Sequence, residues 1–121
     1  MIMADTSVWV DHLRKGDATL LELLGKNQIC IHPFITGEIA LGHLKNRKTI
    51  LRALQGLPNV SVATNDEVMH FIGQRNLYGK GIGFVDVHLL AAVQQAGNCS
   101  IWARDKRLSS VADSLQLAVK Y

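Results

Sequence analysis

Ile2-Met3-Ala4-Asp5-Thr6-Ser7-Val8-Trp9-Val10 is the stretch that sets the reading of the chain. A short apolar run ends on an acid, a hydroxyl pair follows, and apolar residues resume with Leu13 in register behind them. This predicts a strand over residues 2–4, a capping pair at Thr6-Ser7 and a helix beyond. The same strand-then-helix unit recurs outward from it. Asp17 caps a second predicted helix through Leu20, Leu21, Leu23 and Leu24, with Gly25 as its stop, and residues 28–31 form a second strand. Pro33 suits the first turn of the next helix. Its Ile35, Ile39 and Leu44, joined by Ala40 and Leu41, recur at helical spacing and place Glu38 one turn in. Residues 48–57 predict an amphipathic helix closed by Gly56 and Pro58, and residues 60–63 a third strand. Asn65-Asp66-Glu67 opens a helix that Tyr78-Gly79-Lys80-Gly81-Ile82-Gly83 breaks. A helix over 84–96 with Gly97 as stop, a strand over 100–103, a helix over 105–115 and a last strand over 117–119 complete the chain.

Strands separated by helices imply an α/β fold, a mostly parallel central sheet flanked by helices, and the absence of linkers or repeats implies one domain over residues 1–121. The 121 residues, 48% hydrophobic, suffice for a core that buries roughly two thirds of the unfolded chain's surface, so no disulfide is required. Cys30 and Cys99, each beside an apolar run and without CxxC spacing, read as buried, inert thiols of a reducing compartment. No apolar run approaches the roughly 18 residues of a membrane span, and no charged leader opens the chain. A soluble, cytoplasmic protein with no membrane partner is expected.

Acids carry the functional signal. In parallel sheets ligands collect beyond the carboxyl ends of the strands. Asp5 and Asp105 fall at such ends, while Glu38 and Asp86 lie early in helices leaving the same rim. Clustered carboxylates raise one another's pKa unless a counter-charge is present. A divalent cation supplies it, and hard oxygen donors without His or Cys at ligand spacing favour Mg²⁺ or Mn²⁺ over zinc. Such a site hydrolyses phosphodiesters. Thirteen Lys and Arg stand against ten acids, a formal charge of +3. With four acids drawn into one pocket, six of the ten face thirteen cations elsewhere, which suits a polyanionic partner.

Singly, each acid has an ordinary explanation. Asp5 and Asp105 suit helix caps, Glu38 a surface position, and Asp86 a first-turn acid favoured by the helix dipole. Their joint placement is what ordinary explanations leave out, together with the apolar company of Asp86, where a charge is costly unless paired or metal-bound. A hydroxyl of Thr6 or Ser7 is placed either to hydrogen-bond Asp5 or to cap the helix. The glycine-rich segment at 79–83 lacks a GK[ST] ending and follows a helix, so it reads as a flexible connection, with Lys80 within reach of phosphate. Arg104, Lys106 and Arg107 form one basic group and Lys45, Arg47, Lys48 and Arg52 another, each either a solvated face or a phosphate-holding one. Trp9 and Trp102 read as core. His12 and His88 suggest metal-free RNA cleavage, but His88 lies two residues after Asp86 and therefore on another side of its helix. Asp11 is placed outside the site.

Taken in order, Asp5-Thr6-Ser7-Val8-Trp9-Val10-Asp11-His12-Leu13-Arg14, Thr36-Gly37-Glu38-Ile39, Gly83-Phe84-Val85-Asp86-Val87-His88-Leu89-Leu90-Ala91-Ala92 and Ile101-Trp102-Ala103-Arg104-Asp105-Lys106-Arg107-Leu108 resemble the successive motifs of PIN-domain toxins of the VapC type. The resemblance spans almost the whole chain. It implies a PIN-like fold and a Mg²⁺-dependent endoribonuclease, the toxin half of a bacterial toxin–antitoxin pair, with Asp5, Glu38, Asp86 and Asp105 as the acidic, metal-holding site. It further implies an RNA substrate, a cognate antitoxin that blocks the pocket, and a homodimer. One departure is Ala103, where family members often carry a hydroxyl two residues before the fourth acid. The competing class is a PIN-like module that grips RNA or protein without cutting. Amphipathic helices near residues 35–56 offer a groove for a partner helix.

Overall fold

The computed structural model describes all residues, Met1–Tyr121. Three parallel strands, β1 (Ile2–Ala4), β2 (Ile29–Cys30) and β3 (Ser100–Trp102), lie in the order β2-β1-β3. Register is set by Met3, which stands opposite Cys30 on one side and Ile101 on the other. Being central, β1 is apolar throughout: Met3 and Ala4 are fully buried, as a strand covered on both faces must be. Helices α1 (Thr6–Lys15) and α2 (Ala18–Gly25) connect β1 to β2. The long return to β3 carries α3 (Pro33–Ala40), α4 (Arg47–Gln55), α5 (Asn65–Arg75) and α6 (Phe84–Ala96), and α7 (Lys106–Ser114) follows β3. The α/β expectation is met.

Its details differ in four places. Residues 60–63 and 117–119 are not strands: each stretch meets the sheet by a single bridge, Ile31 to Asn59 and Ile101 to Ala118. Chain direction after Pro58 allows only two backbone bonds to Ile31, after which no ladder continues. The helix that begins after β1 is capped by Asp5, whose Oδ1 accepts from the Val8 amide at 3.2 Å, so Thr6 and Ser7 are its first two residues and not its cap. Gly25 is the last residue of α2; the left-handed residue that turns the chain is Asn27, at φ 55°. Leu44 lies beyond α3, which ends at Ala40 and leaves Leu41 90% exposed.

Elsewhere the local signals act as read. Pro33 occupies the first turn of α3, Thr64 and Glu67 close a capping box on α5, and Gly97 at φ 77° ends α6. Trp9 and Trp102 are core, with Arg104 lying over the Trp102 ring at 5.6 Å. No helix is long and apolar enough to cross a membrane.

Candidate active site

From β1 the chain moves to the β2 side of the sheet, and from β3 it moves to the opposite side, where Ala118 bridges Ile101. The carboxyl ends of β1 and β3 therefore splay their connections apart and open a crevice between them. Asp5 directly follows β1, and Asp105 lies three residues past the end of β3. The Asp5 amide donates to the Trp102 carbonyl at 2.9 Å, which pins the two strand ends together. Both acids then cap helices that start at this rim, Asp5 on α1 and Asp105 on α7, where Oδ1 accepts from the Leu108 amide at 2.9 Å. Asp86 lies in the first turn of a third helix, α6, and its Oδ2 accepts from the Gly83 amide at 3.3 Å. Three helix N-termini thus carry acids, and their partial positive charge eases the gathering of negative ones.

Glu38 reaches the group from α3. Its Oε1 accepts from Thr6 Oγ1 at 2.7 Å, so the hydroxyl after the first acid orients the second. Ser7 Oγ donates to Asp5 Oδ1 at 2.6 Å. Both hydroxyls are therefore engaged on site acids. A common pattern emerges: each carboxylate is held through one oxygen, Oδ1 of Asp5, Oε1 of Glu38, Oδ2 of Asp86 and Oδ1 of Asp105, while the other oxygen has no protein donor.

Electrostatics link the four. Asp86 is half-buried, and burial is the largest cause raising its carboxyl above the usual range; the charges of Asp105, Asp5 and Glu38 raise it further, against the opposing bond from Gly83. Asp5, 6% exposed, is likewise raised by burial first and by Asp105 in part, while its bonds from Ser7 and Val8 oppose the shift. No three His, Cys, Asp or Glu side chains close into a ready coordination shell. The donor chemistry nevertheless suits a hard divalent cation, since each of the four acids keeps one carboxylate oxygen without a protein donor and no thiol or imidazole is among them.

The neighbouring cations behave differently from their sequence grouping. Arg104 is spent on Asp11 and Asp17, pairing Nη1 with the former and Nη2 with the latter at 2.5 Å, so it ties the rim to the α1–α2 turn and is not free for phosphate. Arg47 donates from Nη1 to the Ala40 carbonyl at 2.7 Å. Arg107 is exposed and lies against the backbone of Gly81, where an added Cβ would meet its Cδ at 3.0 Å. His88 is buried between Phe34 and Phe84, edge to face with both, which removes it from the crevice. Sequence reasoning passed over His32, fully buried, whose Nδ1 caps α3 by accepting from the Phe34 amide at 2.9 Å. Burial pushes its imidazole down to about 4. Its place before Pro33 was the available signal.

A small parallel α/β domain with an acidic crevice at the β1–β3 strand ends is the architecture of a PIN domain, and residues 2–114 match the PIN domain family model; the chain belongs to that family. Within it the chain resembles the protein named Ribonuclease VapC32 of Mycobacterium tuberculosis. Identity is 46% over 110 residues in each of two strains, CDC 1551 / Oshkosh and H37Rv, covering 91% of this chain and 89% of the relative. This is a VapC-type PIN-domain protein.

Proposed function

We propose that this chain is a divalent-metal-dependent endoribonuclease, the toxin of a type II toxin–antitoxin pair, with Asp5, Glu38, Asp86 and Asp105 as its acidic centre. The observation that carries the reading is the coupling of the Asp86 carboxylate to the other three acids, a concentration of charge that capping three helices does not require. The similarity to a named ribonuclease over 91% of the chain supports it. Bound Mg²⁺, or Mn²⁺ in its place, would supply an acidified water and offset the charge that develops on the leaving oxygen. The chain's own residues do the rest. The free oxygens of Asp5, Glu38, Asp86 and Asp105 would hold the ion, while Ser7 and Thr6 fix the posture of Asp5 and Glu38 and the helix caps keep the first, third and fourth acids in register with the strand ends. Arg107, Lys106, Lys45, Lys48 and Arg52 are the cations left in the two groups to hold RNA phosphate, an affinity that weakens with salt and carries no sequence information.

The partners proposed are RNA, a cognate antitoxin and a second copy of the chain. A groove of about 610 Å³ beside Glu38, lined by Val10 and Leu13 of α1, Ile39 of α3, Ile50 of α4 and Leu44 and Lys45 of the connection between α3 and α4, suits an amphipathic segment of the antitoxin. A second reading, a silent RNA- or protein-binding module, draws on the fact that no three acids close into a coordination shell. One experiment separates them. Mixed cellular RNA is incubated with the purified chain plus Mg²⁺ or Mn²⁺, plus chelator, and with Asp86→Asn. Cutting that requires both the ion and Asp86 is expected; RNA retention without cutting under every metal condition would establish the silent module instead.

A further inference from the structure

Cys30 and Cys99, expected from the sequence to be separate inert thiols, are a close pair that the acidic crevice leaves unused. Cys30 ends β2 and Cys99 directly precedes β3, on opposite flanks of the central strand and 69 residues apart, yet their Sγ atoms stand 3.1 Å from each other. That is roughly 1 Å beyond a disulfide bond of about 2.05 Å, and because the two residues flank β1 the bond forms only as the ends of the outer strands draw together. Both are free thiols, 3% and 8% exposed, and their burial does not seal them off. Both line a cavity of about 350 Å³ with Pro58, Val60, Ala92 and Asn98, wide enough for a small oxidant.

We propose that Cys30 and Cys99 are a modification site, forming a reversible intramolecular disulfide when the protein meets a peroxide. Cys99 is the attacking sulfur. It is the more exposed of the two, and the hydrogen bond between the thiols lowers its pKa, favouring the thiolate, while raising that of Cys30. The Cys99 thiolate attacks one oxygen of hydrogen peroxide, the O–O bond breaks, and a sulfenic acid forms as hydroxide leaves. Hydroxide takes up the proton that Cys99 lost and becomes water. Cys30 Sγ then attacks Cys99 Sγ; the S–O bond breaks, the S–S bond forms, and the departing hydroxyl leaves with the Cys30 proton as a second water. Two electrons pass from the two thiols to one peroxide.

The bond encloses Glu38 and Asp86 in its loop and leaves Asp5 and Asp105 outside it. Because Cys99 sits at the opposite end of β3 from Asp105, the cross-link restrains the unfolded chain without touching the acids. Closing a loop of this length raises the melting temperature on the order of 10 °C.

The purified chain is treated with hydrogen peroxide, alkylated while folded, digested and read by mass spectrometry. Expected are a loss of two hydrogens per chain, a cross-linked peptide joining Cys30 to Cys99, recovery of both thiols with dithiothreitol, and a higher melting temperature for the oxidised chain. Cys30→Ser is expected to stop at a dimedone-reactive sulfenic acid on Cys99. Thiols that stay alkylatable after peroxide, a cross-link between two chains, or a bond that forms only in denaturant would each overturn the proposal.

Discussion

Gly79 and Gly81 offer a matched pair of substitutions that separates backbone cost from the placement of Arg107. Both have positive φ, 71° and 79°, where an L side chain is strained by about 1–2 kcal/mol. Nothing lies within 4 Å of a Cβ at position 79, whereas at position 81 the Cβ meets Arg107 Cδ at 3.0 Å, Nη1 at 3.1 Å and Nε at 3.3 Å. All three atoms belong to the movable part of one exposed side chain, so Arg107 swings away and the backbone stays. Gly79→Ala and Gly81→Ala should therefore lose similar stability, about 1 kcal/mol, which for a chain of this size lowers the melting temperature by roughly 4 °C. Only Gly81→Ala should weaken RNA binding. Losing one phosphate contact flattens the plot of log affinity against log salt by about 0.7 for a single strand. Thermal melts and RNA binding at several salt concentrations read both effects. Equal RNA affinity and equal salt slope in the two variants would refute the role of Arg107. A stability loss at position 81 larger by about 2 kcal/mol or more would instead show the arginine to be a fixed wedge.

Further outcomes follow from the crevice. Asp86→Asn should melt higher than the unsubstituted chain at neutral pH without divalent ions, because a carboxyl raised by burial and like charge makes the ionised form costly. The sign follows from proton linkage: the cost is present above the raised folded value, and as pH falls toward the unfolded value the advantage of Asp86→Asn disappears. Mg²⁺ should reverse the order of the two melts; an order unaffected by the ion would count against metal at this site. Asp5→Asn should abolish cleavage while keeping its cap on α1, whereas Asp5→Ala should lose the cap as well, at about 1 kcal/mol in urea unfolding. Identical stabilities would contradict the capping role. Arg104→Ala should lower the urea midpoint and leave RNA affinity unchanged, since its guanidinium is occupied by Asp11 and Asp17; a fall in affinity would show that it reaches phosphate.

How much of this was legible in the sequence depends on how local the cause is. The bounds of α6 follow from Gly83, an apolar run and Gly97, all within one helix. The placement of Asp5 and Asp105 past strand ends was readable because the carboxyl ends of strands in a parallel sheet share one edge, whereas the order β2-β1-β3 was not. The expected strands at 60–63 and 117–119 failed for a non-local reason: an apolar run becomes a strand only if a ladder continues beside it, and each finds one bridge. Capping by Asp5 in place of Thr6-Ser7 was a competition among adjacent oxygens that composition does not decide. Arg104 was read with the basic group beside it, because its two acidic partners lie 93 and 87 residues away. The approach of Cys30 to Cys99, across the central strand, leaves no trace in spacing at all.

Asp5 and Asp105 each hold up a helix with one oxygen and leave the other without a protein donor, whereas Glu38 is exposed and caps nothing. A host escaping the activity proposed for this chain would therefore meet unequal routes. Silencing through Asp5 or Asp105 by a side chain that cannot cap would also erode the fold and, with the proposed antitoxin as partner, release it. Silencing through Glu38, which caps no helix, would leave the fold intact as a decoy for that partner. Survivors of selection should carry changes at position 38 when retaining the decoy is useful, and at positions 5 and 105 when discarding the whole protein is.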